Sequence, residues 1–533
     1  MVVPELRPWR AAGPHVVRIA DAVRPRLARV AAATGPWFTR GRRPGSPQAP
    51  RVARPGTGWY TATAATAGLA LAAGVATAAG PWDSSGQRTA ERHRAVALEA
   101  SRGTDHDGSR ARAGTPPRGP QAAPPAPSVL TGLGGTATAA RSAPAGKALA
   151  AVLDPLLKDP VLGRRSAAVV DAATGRRLYG ADSGNALTPA STTKIATAVA
   201  ALSALGPDHR LTTRTVYEPD TQEVVLVGGG DPTLTARKKA KGSASLRDLA
   251  ARTAAALAKR GVRKVTLSYD TTLYKGDTAH PIGRGNENLA AVTPLMADEG
   301  RTDDSSSGPV KRVADPAAEA ARTFGDLLKE HGITATPPGP SKSTTRATTL
   351  AAVSSPPLSS LVERMLTNSD NDIAEALARH TAVATGKRAD FAGAGAAVTA
   401  RLKALKLPVK GVVIKDGSGL DRGGRLTADL LTALLVTAGD PAHPELRSAL
   451  TGLPVAGFTG TLSGRYADGA AGLVRAKTGT LTGVNTLAGT VVDRDGRLLA
   501  FAFLANDTAG AEAAQSTLDK AATALATCGC RTR

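Results

Sequence analysis

Thr188-Pro-Ala-Ser191-Thr-Thr-Lys194-Ile195 is the stretch on which the fold turns. A Pro-led loop ends there, and a helix starts at Ser191 with Ile195, Val199 and Leu202 on one apolar face. Ser191 and Lys194 stand at i and i+3, one above the other on the same helical face. An alkyl hydroxyl is a poor nucleophile and needs a base. A buried lysine, whose pKa falls by desolvation, can be that base. On its own the pair also fits an ordinary surface serine and lysine. Two later stretches change the balance: Ser369-Asp-Asn371 in a short inter-helix loop, and Lys477-Thr-Gly-Thr480 in a strand.

Each of these also has a bland reading. Ser-Asp-Asn before a helix is usually an N-cap, and Ser183-Gly-Asn185 matches the same Ser-x-N pattern by chance. Lys-Thr-Gly can be a mere strand end. Together, in this order and these settings, the three supply a complete acyl-transfer site. Ser369 can pass a proton between Lys194 and a leaving amine, and the Asn371 amide can hold a substrate carbonyl. Gly479 leaves room for a ligand beside the strand. Lys477, Thr478 and Thr480 can bind a carboxylate. The backbone N–H groups of Ser191 and Thr480 can form an oxyanion hole. The chain contains no G-x-S-x-G elbow, H-E-x-x-H helix, phosphate loop or dinucleotide fingerprint. Its histidines are scattered without metal spacing.

Outward from the motifs, the chain reads as separate textures. Folded character begins near Lys147 with a helix over 148–157, followed by a hairpin, 166–171 and 177–180, turning at Ala173-Thr-Gly175. From 211 to 352 the pattern becomes strand, Gly-rich turn, helix, Gly, strand, which predicts an inserted α/β accessory domain. Helices resume over 358–366, 372–384 and 391–405. Val412-Val-Ile414 runs to Asp416-Gly-Ser-Gly-Leu-Asp421, and a helix follows over 427–437. Two alternating strands, 486–492 and 498–505, meet at Asp493-Arg-Asp-Gly496 before a final helix. The catalytic domain is thus expected over 146–210 and 353–530.

The first 145 residues differ. They carry arginine but no lysine, and the whole chain holds 67 Lys+Arg against 44 Asp+Glu. Aromatics make up 3%, and no basic run is interleaved with Tyr or Phe, so no nucleic-acid partner is expected. The uncharged run 59–82, with a tryptophan near each end and arginines before it, is long enough to cross a bilayer. Residues 1–55 then form a basic disordered cytoplasmic segment and 56–82 a transmembrane anchor. A long signal peptide cut near Ala76-Thr-Ala78 is the competing reading. Residues 83–145 read as a Pro/Ala/Arg-rich disordered linker. The protein is accordingly expected on the outer face of the membrane, or secreted to the cell wall. Cys528 and Cys530 suggest a terminal disulfide clip.

With S-x-x-K, S-x-N and K-T-G in this order, the chain resembles the penicillin-recognising serine acyl-enzymes. The long interval between Ser191 and Ser369, Gly228-Gly-Gly-Asp-Pro-Thr-Leu234 and Asp416-Gly-Ser-Gly-Leu420 are similar to the D-alanyl-D-alanine carboxypeptidase/endopeptidases of the DacB type. The resemblance covers about 148–527. It implies an α/β (α+β) fold of the penicillin-recognising serine acyl-enzyme kind: an antiparallel sheet flanked by helices, a helical subdomain and an inserted α/β domain. It implies Ser191 as nucleophile, Lys194 as base and Ser369 as relay. Asn371, Lys477, Thr478 and Thr480 would bind a peptidoglycan stem peptide. β-Lactams would be inhibitors, and no metal or organic cofactor would be needed. A β-lactamase would need a carboxylate dedicated to fast deacylation. An idle cell-wall binding protein would not need every catalytic side chain, yet all are present.

Overall fold

The computed structural model describes residues 146–240, 242–466 and 469–529, all within the unit Pro124–Arg533. The anchor or signal expected at 56–82, with its flanking segments, lies outside the described residues. Among the described residues no helix is long and apolar enough to cross a membrane. Cys528 is disulfide-bonded, and Cys530 lies outside the described residues.

A five-stranded antiparallel sheet carries the catalytic half. Its strands are β1 (Arg164–Asp171), β2 (Arg177–Ala181), β9 (Val474–Leu481), β10 (Val484–Val492) and β11 (Leu498–Asn506), in the order β2-β1-β11-β10-β9. The central strands are buried on both faces, so in place of the expected polar–apolar alternation side-chain size sorts by face. Val169, Leu487, Leu499, Phe501 and Phe503 meet α1 (Gly146–Leu157) and the C-terminal helix α10 (Ala511–Thr527). Ala168, Ala488, Ala500 and Ala502 face the other way. Their small size admits α8 (Ala428–Gly439) close to the strands, and α2 (Thr193–Leu205) packs on α8.

Helix α2 lies at the centre of the helical layer, against α6 (Asn371–Ala384), α7 (Phe391–Ala404), α8 and α5 (Leu358–Asn368). A short helix α9 (Ser448–Thr451) packs on α5. Residues Thr193 to Leu202 are all buried, so α2 has no solvent face. The 3.6-residue apolar period therefore understates its burial: alanines and threonines fill its remaining faces. The run Val412–Ile414 contributes only a single bridge, Val413 to Arg425, and no strand.

The second sheet holds β3 (Thr212–Glu218), β4 (Glu223–Val227), β5 (Lys264–Asp270), β6 (Thr334–Ala335), β7 (Gly339–Pro340) and β8 (Thr348–Ser354). Its order is β6-β5-β4-β3-β8, with β7 also on β5. β4, β5 and β6 run parallel, linked by α3 (Leu246–Ala258) and α4 (Pro316–Glu330), while β3 is antiparallel to β4 and β8. Both helices cover one face around Phe324 and Leu267. The lobe enters and leaves at one point. Leu211 N–H donates to Ser355 Oγ (2.9 Å), and Ser355 N–H returns to the Leu211 carbonyl (2.8 Å). An insertion with paired ends leaves its host's sheet undisturbed.

The turn bearing Ser191 is pinned between β9 and the 416–421 loop. Asn506 at the end of β11 accepts Thr188 N–H (2.9 Å) and donates to the Thr188 carbonyl (3.1 Å). The Pro189 carbonyl accepts the hydroxyls of Thr192 (2.7 Å) and Thr486 (2.8 Å). Gly479 allows this contact: a Cβ there would lie 2.2 Å from Thr486 Oγ1 and 2.8 Å from the Pro189 oxygen. Gly479→Ala is therefore expected to cost about 1–3 kcal/mol through overpacking. Gly464→Ala, with no atom within 4 Å of the added Cβ, is expected to stay within about 0.5 kcal/mol. Thermal or denaturant unfolding of the two variants checks the contrast; equal stability would refute it.

Candidate active site

Ser191 sits in a 3₁₀ turn, Ala190–Thr192, that leads directly into α2. Ala190 holds a left-handed backbone (φ 47°), a conformation costly for a residue with a Cβ. It persists because the surroundings fix it. Gly419 (φ 83°) lies so close that a Cβ would approach the Ala190 oxygen to 1.9 Å. The result is a half-buried serine presented above a fully buried lysine.

Lys194 Nζ is 2.9 Å from Ser191 Oγ, 2.7 Å from Asn371 Oδ1 and 2.9 Å from the Ser418 carbonyl oxygen. Burial pushes its pKa down, and the field of Asp416, Glu375, Asp370 and Asp372 holds it back, leaving it at about 8. A side chain usually charged is thus poised near neutrality, as a base serving an alkyl hydroxyl requires.

Beneath Lys194 lies a buried polar floor. Asp416 accepts N–H groups of Gly419 (2.9 Å) and Asp421 (2.8 Å) and the Ser418 hydroxyl (3.1 Å). Glu375 on α6 accepts N–H from Gly417 (3.1 Å) and Ser418 (2.9 Å). His280 Nε2 faces both acids, 3.0 Å from Asp416 Oδ2 and 3.6 Å from Glu375 Oε1. Burial lowers the His280 pKa, and the two carboxylates more than reverse this, raising it to about 9. The Ile282 N–H aimed at Nδ1 (3.2 Å) opposes a second ring proton. In either state the Nε2–H points at Asp416. His280, Glu375 and Asp416 could group around an ion, but their oxygens are already taken up by N–H and O–H donors, so they fit a hydrogen-bonded floor better.

The Ser-x-N loop splits in its behaviour. Asn371 joins the cluster: its Oδ1 takes the Lys194 ammonium, and its Nδ2 donates to the Asn288 carbonyl (3.0 Å). Ser369 ends α5 in a left-handed conformation (φ 59°). Its hydroxyl makes no hydrogen bond among the described residues, and the three acceptors of Lys194 lie elsewhere. The N-cap of α6 is Asp370, which accepts Ile373 N–H (3.0 Å), so the capping role open to Ser369 belongs to its neighbour.

On β9, Lys477 is fully buried and donates to the Thr478 carbonyl (2.8 Å). Burial, with the nearby Lys194, pushes its pKa well down. Thr478 Oγ1 meets Thr461 Oγ1 (3.0 Å), and Thr480 is exposed. Ala476 N–H donates outward to Pro454, away from β10. Since backbone direction alternates along a strand, the Thr480 N–H also points outward from this edge, on the side of the sheet to which the Ser191 turn is pinned.

Sequence reasoning named Ser191, Lys194 and Asn371, which the structure brings into direct contact. It missed Glu375, His280 and the roles of Asp416 and Ser418. The Asp416-Gly-Ser-Gly stretch was a visible signal; nothing local marks Glu375 or His280.

The chain is similar to several known proteins. A carboxypeptidase DacB of Mycolicibacterium smegmatis is 37% identical over 430 residues, covering 77% of this chain and 91% of its own. A D-alanyl-D-alanine carboxypeptidase of Actinomadura sp. is 31% identical over 448 residues, covering 67% and 81%. The fold matches that of penicillin binding protein 4 (dacB) from Haemophilus influenzae with a TM-score of 0.58 at 21% identity, over 70% of this chain and 98% of that one. The sequence profile of the D-Ala-D-Ala carboxypeptidase 3 (S13) family matches residues 149–305 and 302–527, and with that span the chain belongs to this family.

Proposed function

We propose that the protein is a serine-type D-alanyl-D-alanine carboxypeptidase/endopeptidase that trims peptidoglycan stem peptides through a Ser191 acyl-enzyme and is inhibited by penicillins. The observation that carries this reading is the buried Lys194 amine, 2.9 Å from Ser191 Oγ with its pKa near 8. Family relatives named as carboxypeptidases support it, as does a related fold solved with a bound β-lactam.

In this mechanism neutral Lys194 takes the Ser191 proton as Oγ attacks the carbonyl between two terminal D-alanines. The oxyanion is met by the Ser191 and Thr480 N–H groups. Ser369, whose hydroxyl is uncommitted, relays the proton to the departing D-alanine amine as the C–N bond breaks. Asn371 has one amide hydrogen on Asn288 and keeps the other for the substrate. Lys477, Thr478 and Thr480 hold the terminal carboxylate at the open edge of β9. Water then attacks the ester and returns the proton to Ser191. The substrate lies outside the cytoplasm, in keeping with the export expected from residues 59–82.

Benzylpenicillin incubated with the full chain is expected to leave one retained drug mass on the peptide containing Ser191, with none on Ser191→Ala. Lys194→Ala should slow that acylation by about 10²–10⁴-fold. Labelling that survives in Ser191→Ala would refute the assignment, and so would full rate without Lys194.

The pH dependence follows from the sign of the Lys194 shift. The active base is the neutral amine, present above its pKa, so acylation should rise through pH of about 8 and level off above it. Stopped-flow acylation between pH 6 and 10 tests this; a rate independent of pH would remove Lys194 as the base.

A further inference from the structure

The inserted lobe does not simply sit beside the catalytic half. Between β5 and α4 the chain leaves the second sheet and runs along α6, touching the site at three places. His280 faces Asp416 and Glu375, the Asn288 carbonyl accepts Asn371 Nδ2 (3.0 Å), and Ala290 N–H donates to Asp372 Oδ1 (2.9 Å). Asp372 also accepts Arg312 Nη1 (2.7 Å) from the same lobe. Asn371 and Asp372, the first two residues of α6, are thus both held by residues of the insert.

We propose that this segment of the insert is a working wall of the acylation site, in which His280 is a positioning residue that fixes, through Asp416, the Ser418 carbonyl on which Lys194 rests.

Asp416 and Glu375 are 1% exposed, and His280 is 3% exposed. A buried carboxylate needs its full set of donors, because an unmet oxygen pays the desolvation cost without return. Backbone N–H groups of the 416–421 loop supply most of them. His280 supplies the one donor that comes from a different lobe, and it is the one facing both acids. Its ring is itself fixed, edge-on to Phe391 with centroids 5.2 Å apart and with Ile282 N–H at Nδ1. Without that donor, the cations left to the acids are Lys194 and Arg379, and the loop carrying Ser418 loses its tie to the insert. Lys194 would then be held more firmly as an ammonium, away from the hydroxyl it should deprotonate.

The charged groups around the ring are accounted for on every side. Asp416 lies on the loop, Glu375 on α6, and Lys194 beyond Ser418. Arg379 lies across Phe391, with its guanidinium 4.0 Å from the ring centroid. Arg284, Lys311 and Arg312, with the acid Glu287, line the cavity of about 420 Å³ on the solvent side. Removing His280 leaves the field of the acids on Lys194 less neutralised, so the rising limb of acylation moves to higher pH.

This inference rests on the acyl-enzyme reading, and the experiment keeps the two apart. Benzylpenicillin acylation of the full chain is followed as limiting rate and as dissociation constant of the complex preceding it, beside thermal unfolding. Wild-type protein tests the acyl-enzyme reading; the variants test His280. His280→Leu is expected to lower the limiting rate by about 30-fold, with the dissociation constant within about two-fold and the pH limb displaced upward. His280→Gln, which keeps an N–H donor, should recover most of the rate. The proposal is overturned if His280→Leu acylates at the wild-type rate. It is equally overturned if the Leu and Gln variants are slowed alike with no movement of the pH limb, the pattern of a fold defect alone.

Discussion

The structure depends on burying one amine. In the proposed mechanism Lys194 can serve as base only because it is out of water, and a lysine out of water is costly unless its hydrogens are met. Here all three are met, by Ser191 Oγ, Asn371 Oδ1 and the Ser418 carbonyl. Two opposing effects set the outcome. Desolvation drives the amine toward neutrality, and four acids on α6 and the adjoining loops limit how far it goes. Fewer acids would leave an amine too weakly basic to take a hydroxyl proton. More exposure would leave a permanent ammonium.

Much of the architecture serves this balance. Alanines on one face of the five-stranded sheet bring α8 against the strands, and α2, enclosed by α8, α5, α6 and α7, holds Lys194 in the interior. The Ser191 turn is clamped by Asn506, Thr486, Gly419 and Gly479, so the hydroxyl stays at hydrogen-bond distance from the amine. Lys477 is a second buried lysine nearby, bound to the Thr478 carbonyl. The open edge of β9 beside it is suited to a substrate carboxylate. The insert closes the opposite side, through the Asn288 carbonyl and the His280 ring.

What the sequence disclosed follows from how local each signal is. Ser191 and Lys194 are one helical turn apart, and the Lys477–Thr480 stretch lies in one strand, so their spacing alone carries meaning. The apolar runs of β10 and β11 and the strand–helix alternation of the insert were legible for the same reason, as was the α+β class. Two kinds of feature were not. The full burial of α2 is invisible to a period count, because alanine and threonine are neutral in an apolar pattern but fit a crowded interior. The floor under Lys194 joins His280, Glu375 and Asp416 from three distant stretches, and only tertiary packing brings them together. Ser369 is an intermediate case: the motif marks its loop, while Asp370 does the capping and Asn371 makes the contact with Lys194.

The central claim is that the fold lowers the Lys194 pKa to about 8, so that a usable fraction of the neutral amine exists near physiological pH. A nitrogen-15 NMR titration of the Lys194 ammonium in the full chain, assigned against Lys194→Arg, measures this without reference to turnover. A midpoint near 8 is the expected result. A midpoint at or above about 10, the value of an ordinary solvated lysine, would contradict the account.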